Sequence, residues 1–106
     1  MINNKIYGLI GLARRASKIS FGTESSMDSI RKRKAKLVII AEDAAERTNK
    51  NFKIECEKIK IYFRIYGTIE DLSNAIGQNN KAIITINDEN FSKEIIKKID
   101  GGEIIG

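Results

Sequence analysis

The apolar positions of this chain change period from one stretch to the next. Over residues 3–16, Ile6, Leu9, Ile10 and Ala13 recur at helical spacing, and Gly8 and Gly11 would let a neighbour pack closely. KISFG (18–22) is short and extended and ends on a turn glycine. From Thr23 to about Lys34, Met27 and Ile30 mark the inner side of a second helix. LVIIA (37–41) is an unbroken apolar run rich in β-branched residues, as in a strand covered on both faces. A long helix is predicted over about 44–58, capped by Asp43 with Glu46 three residues on, and striped by Ala45, Asn49, Phe52, Cys56 and Ile59. IYFRI (61–65) is the next strand. Thr68 caps a short helix with Asp71 at its third position, Ile69, Leu72 and Ile76 inward and Gly77 at its end. AIITI (82–86) is a further strand, and Asp88 caps a last helix carrying Phe91, Ile95 and Ile99. The terminal GGEIIG is expected to fray.

Strands alternating with helices define an α/β fold, with helices on both sides of a small mixed sheet and parallel crossovers joining the three apolar strands. The 106 residues contain no proline, repeat or low-complexity linker, which predicts one domain over 1–106. No apolar run reaches the ~18 residues a membrane span needs. MINNKIYGLIGLARR lacks the layout of a secretory signal, so a cytoplasmic location is expected. A single cysteine and no histidine exclude an internal disulfide, a Cys/His zinc site and His-dependent nucleophilic catalysis. Cys56, on a helix stripe, reads as a small core residue.

Charge sharpens this picture. The net of +5 is unevenly spread. Residues 1–36 hold nine cations against Glu24 and Asp28, a net of +7, whereas residues 37–106 hold ten cations against twelve acids, a net of −2. A basic third on a near-neutral remainder suggests one positive face, suited to phosphate or simply to water.

Four stretches are candidates for chemistry. GLIGLA (8–13) holds part of a dinucleotide fingerprint, but no strand precedes it and helix packing explains its glycines. AEDAAE (41–46) sets Glu42, Asp43 and Glu46 at a strand's C-terminal end, as metal ligands or, more simply, as acids on the positive end of a helix dipole. RKRKAK (31–36) suits a helix C-terminus and a phosphate backbone alike. In FGTESS (21–26), Gly22 permits a tight turn, and the amides of Thr23, Glu24 and Ser25 lack intrahelical partners. Such a start holds a phosphate or is closed by Thr23 as an ordinary cap.

GLARRASK, the G-T-E that opens a helix, AKLVIIAEDA, YGTIEDLSNAIG and AIITINDENF together resemble the small ribosomal-protein superfamily that binds kink-turn RNA, with archaeal L-seven-Ae as its best-known member and the bacterial YlxQ type within it. The likeness runs from about residue 5 to residue 98, and AKLVIIAEDA after a basic helix is its most specific piece. It implies a three-layer α/β/α sandwich around a four-stranded mixed sheet, with KISFG as the extra strand. The family reads guanine edges of the kink-turn with an Asn-Glu pair just after the glycine and a Lys three residues further on. The corresponding positions are Glu24, Ser25 and Asp28, and none matches. Asp28 repels the phosphates that a lysine would attract. The family's second contact is a loop of small apolar residues. Here it is the polar GQNNK (77–81), where Gln78 and Asn79 can only hydrogen-bond.

These readings give a non-enzymatic RNA-binding protein of ribosomal type, without cofactor or metal. Gly22 and Thr23 approach the backbone; Arg31, Lys32, Arg33 and Lys34 contact phosphates, with Arg14, Arg15 and Lys18 nearby if the first two helices pack together. The expected partner is structured, ribosomal RNA, bound with strong salt dependence and little sequence selectivity. The alternative is a protein-interaction module of the translation apparatus with a decayed RNA site, binding ribosomal or translation proteins. A small enzyme around Glu42 and Asp43 lacks a convergent catalytic set.

Overall fold

A computed structural model describes residues 4–101; the predicted fraying of GGEIIG falls, apart from Gly101, outside these residues. Nine elements follow in chain order: α1 (Lys5–Arg15), β1 (Ile19–Phe21), α2 (Thr23–Arg31), β2 (Leu37–Ile40), α3 (Glu46–Ile59), β3 (Tyr62–Ile65), α4 (Ile69–Ala75), β4 (Ile83–Ile86) and α5 (Glu89–Gly101). The strands form one mixed sheet in the order β1-β4-β2-β3. β2 pairs with β3 in parallel, through Leu37 with Tyr62 to Ile40 with Ile65. β4 runs antiparallel to both β2 and β1. The upper end of the sheet is taken here as the one where β1, β2 and β3 finish, and the lower end as the one where they begin.

Period-two alternation along β2 divides the core. Leu37, Ile39 and Ala41 point to one face with Ile84 and Ile86 of β4, and meet Ile6 and Ile10 of α1, Leu72 of α4 and Ile95 of α5. Val38 and Ile40 point to the other face with Ile83, and meet Ile30 of α2 with Phe52 and Cys56 of α3. Helices α1, α4 and α5 therefore cover one face and α2 and α3 the other, the α/β/α sandwich that the family resemblance implies.

Several sequence expectations are corrected. Of the three apolar strands, only β2 and β3 are joined by a parallel crossover, because α4 stays pinned at the upper end and the chain re-enters the sheet there, sending β4 downwards. The pin is Asp43. It was expected to cap α3, but Asp43 Oδ1 accepts the backbone N–H of Ile69 at 2.8 Å, beside Thr68, which accepts from Asp71 at 3.1 Å. α3 accordingly begins two residues later than expected, at Glu46, with Ala45 as an N-cap that makes no side-chain bond. α2 ends at Arg31 rather than near Lys34. Arg33 turns left-handed (φ 60°), so that its N–H and that of Lys34 close on the carbonyls of Ile30 and Ser29. This buries Ala35 and lets Lys36 N–H donate to Ile86 O. Gly11 does permit close packing, since a Cβ there would lie 3.1 Å from Ala75 O, whereas one on Gly8 would meet nothing within 4 Å. Asp88 caps α5 as predicted, accepting from Phe91 N–H at 2.8 Å.

Candidate nucleic-acid interface

At the upper end, Gly22 is the N-cap of α2, not Thr23, and no side chain caps the helix. Its φ of 86° favours glycine, although a Cβ there would meet nothing closer than Lys81 Cδ at 3.9 Å. Gly22 N–H donates to Ile83 O at 2.9 Å, which hangs the turn on β4, and its own carbonyl takes the N–H of Ser26. The amides of Thr23, Glu24 and Ser25 thus stay on the exposed first turn, with Glu24 as an acid on the positive end of the dipole.

Behind this start, two cations lie over the Phe21 ring. Arg14 Cζ is 5.3 Å and Lys81 Nζ 5.7 Å from its ring centre, distances at which the ring's negative face attracts charge. The loop carrying Lys81 is fixed by Ser73, whose hydroxyl accepts Lys81 N–H at 2.8 Å, and by Gly77 (φ 67°), which ends α4. Gln78 N–H donates to Ser73 O at 2.8 Å, while Asn79 stands exposed.

The serines of α2 seat it on the sheet. Ser26 and Ser29 are buried where only Met27 and Ile30 were expected inward, and Met27 is half-buried. A polar chain runs from Thr85 through Asn87 and Ser20 to Ser29, with bonds of 3.0, 3.0 and 2.7 Å. Beside it, Glu24, Ser25, Asp28 and Lys34 line one polar groove of about 450 Å³.

The expected basic cluster reaches the helix start only in part: Arg31 shares a groove with Thr23 and Glu24, and Lys34 shares another with Glu24 and Ser25. α2 has nine residues and is about 13 Å long, so Arg31 to Lys34 lie at its lower end. Arg31 pairs with Glu55 at 3.6 Å, and Lys32 pairs with Asp28 at 3.3 Å across one turn. The acid that was expected to repel phosphate is thus matched by its own helix. α1 and α2 do not pack together, because the sheet separates them. Of the α1 group, only Arg14 is brought to the upper end, through Phe21. Lys18 sits at the lower end, where its carbonyl accepts Asn87 N–H at 2.7 Å, and Arg15 is an exposed residue in the last turn of α1.

Sequence reasoning missed Phe21, Lys81 and Arg47. Lys81 is the only cation between Arg64 and Lys93, a signal that was available. Arg47, which lines a groove between α2 and α3 with Arg31, had no such mark. Among the described residues no group of three or more His, Cys, Asp or Glu side chains is placed to hold a metal ion, and no helix is long and apolar enough to cross a membrane. Burial, reinforced by Glu55 and Glu57, pushes the Cys56 thiol up to about 12.

Residues 4–96 match the ribosomal protein L7Ae/L30e/S12e/Gadd45 family. The chain belongs to that family, as a member of the YlxQ type. It is 30% identical over 94 residues to RNA-binding protein YlxQ of Bacillus subtilis, covering 89% of this chain and 94% of that one. It is 36% identical over 98 residues to RNA-binding protein YlxQ of Enterococcus faecium, covering 92% and 93%. A Bacillus halodurans structure described as of unknown function superposes with a TM-score of 0.89 at 30% identity, covering 92% of this chain and 99% of that one. The Giardia lamblia 15.5kD RNA binding protein shares the fold, with a TM-score of 0.76 at 20% identity over 95% and 92%.

Proposed function

We propose that this chain is a non-enzymatic RNA-binding protein of ribosomal type, acting as one domain, and that it meets the backbone of structured RNA at its upper end. The observation that carries the reading is the uncapped start of α2 at Gly22, flanked by the Arg14–Phe21–Lys81 stack. Exposed first-turn amides attract a phosphate, and the two cations supply charge beside them. The relatives described as RNA-binding proteins support the same assignment. Gln78 and Asn79 lie on the loop that ends in Lys81, within reach of RNA docked there. Glu24, Ser25 and Asp28 supply none of the groups that read guanine edges, so selectivity for kink-turns is weak.

Titration with a kink-turn RNA and a plain RNA duplex at two salt concentrations tests this. Both bind, with a steep salt dependence, and Arg14→Ala or Lys81→Ala each lowers the magnitude of the log–log slope by about 1. Replacing Glu24, Ser25 and Asp28 by Asn, Glu and Lys raises affinity for the kink-turn alone. Failure of either RNA to bind at low salt overturns the reading and leaves a protein-interaction module in its place.

A further inference from the structure

Two of the cations that follow α2, Arg33 and Lys36, meet others elsewhere. At the lower end, a groove of about 370 Å³ opens between the close of α3, the starts of β2 and β3, and the first turns of α5. Arg33, Lys36, Lys60 and Lys93 line it, against a single acid, Glu89, which pairs with Lys93 at 3.7 Å. Its wall is apolar, through Ile59, Ile61 and Ile96. Tyr62 stands at its rim with 65% of its surface exposed, and Arg64 Cζ lies 5.9 Å from the Tyr62 ring centre.

The backbone of two of these cations is unusual. Arg33 and Lys60 are both left-handed, at φ 60° and 65°, in positions that close α2 and α3. α4 is closed in the same conformation by glycine, at Gly77. Glycine is the residue that adopts this conformation without steric cost. At the groove, two such positions instead carry a positive side chain, and Arg33 Nη1 leans across to Ile59 O at 3.4 Å.

We propose that this groove is a second binding site, for a single-stranded segment of RNA, with a base stacked on Tyr62 and its phosphates on Arg33, Lys36 and Lys60. An exposed aromatic face beside an electropositive channel is the arrangement that binds unpaired nucleotides without sequence preference. A basic groove alone would accept any polyanion; the exposed ring selects one with flat bases. The site lies at the opposite end of the sheet from the α2 start and does not depend on that reading.

The test is fluorescence anisotropy with a labelled six-nucleotide uridine RNA. The full chain binds it with a log–log salt slope of about −2, as three phosphate contacts on a single strand require. Arg33→Gly combined with Lys60→Gly weakens binding at least tenfold and brings the slope to about −0.7. It also raises Tm by about 4 °C or more, because glycine relieves the backbone, so the loss is not one of folding. Tyr62→Leu weakens binding by about 5-fold or more, as loss of a stacked base does, and leaves the salt slope unchanged. Lys81→Ala leaves hexamer affinity as it was. Hexamer binding untouched by the groove variants, or weakened as much by Lys81→Ala, overturns the proposal. So does binding of hexaglutamate as tightly as of the RNA.

Discussion

The two ends of the sheet solve the same backbone problem with different residues. Among the described residues, turns with positive φ at the upper end carry Gly22, Gly67 and Gly77, with Asn80 as the one exception. Those at the lower end carry Ser17, Arg33 and Lys60. A side chain in this region costs about 1–2 kcal/mol relative to glycine. Glycine at the upper end spares that cost and leaves space beside the chain; cations at the lower end accept it and keep their charge. The upper end is thus built for shape and the lower end for charge.

The largest effect that would break this contrast is at Gly67. A Cβ there would sit 2.5 Å from Tyr7 Oη and 3.3 Å from two ring atoms, besides forcing a side chain to φ 74°. Tyr7 cannot swing clear easily, since its ring packs against Tyr66 at 5.6 Å and on the core beneath α1. Gly67→Ala should cost about 2–4 kcal/mol in urea unfolding, combining backbone strain with overpacking. A loss under about 1 kcal/mol would mean that Tyr7 yields and that shape does not limit the upper end.

The periodic parts of the fold were legible from the chain. LVIIA, the Thr68 and Asp88 caps and the Phe52–Cys56 stripe each depend on neighbours within a turn or on one buried face, and they stand as predicted. The failures were long-range. Asp43 serves a helix 26 positions away, which no cap rule for adjacent residues foresees. The direction of β4 depends on where α4 is held, so an apolar run could not disclose it. RKRKAK looked like one cluster because its residues are adjacent, but closing α2 at Arg33 sends its side chains to different partners. The helix start at Gly22 was therefore legible in the chain, whereas Phe21 and Lys81 meet only through the pairing of β1 with β4.

Paired substitutions of opposite sign sharpen the contrast at the next level. Gly22→Ala puts a side chain at φ 86° and ψ 167°, a region nearly reserved for glycine, and without a clash should destabilise by about 1–3 kcal/mol. Lys60→Gly should stabilise by ~1 kcal/mol. Cys56 reports the second change directly, since its carbonyl accepts the N–H groups that close α3 at Lys60 and Ile61. With its thiol raised to about 12 by burial, Cys56 is alkylated at about pH 8 only after opening, and Lys60→Gly should slow labelling about fivefold. Stability from the buried thiol is complete below its unfolded value of about 8.5 and is lost as pH rises towards about 12. Equal destabilisation by Gly22→Ala and Lys60→Gly would abolish the distinction between the ends.

The smallest expected effect is an acid response confined to one side of the molecule. Arg64 donates to both carboxylate oxygens of Asp100, at 2.8 and 2.9 Å, clasping the end of α5 to β3. These bonds hold the Asp100 carboxyl below the usual carboxylate range. A depressed folded value means that the contribution is present above the unfolded value of about 3.9 and disappears as pH falls through the lower folded one. Asp100 is half exposed, so the change should be local rather than global. Amide exchange, corrected for intrinsic rates, should accelerate in the last turn of α5 as pH falls below about 4. The amides of Gly77 and Gln78 form the reference, because they close on the backbone carbonyls of Asn74 and Ser73 and involve no carboxylate. Their protection should hold over the same range, and Arg64→Gln should remove the acid dependence in α5. Since α5 also walls the lower groove through Ser92 and Ile96, an acid-loosened clasp should widen the charged end while leaving the upper end in place. Equal acceleration at Gly77 and in α5 would show that the two ends open as one unit and differ only in residue choice.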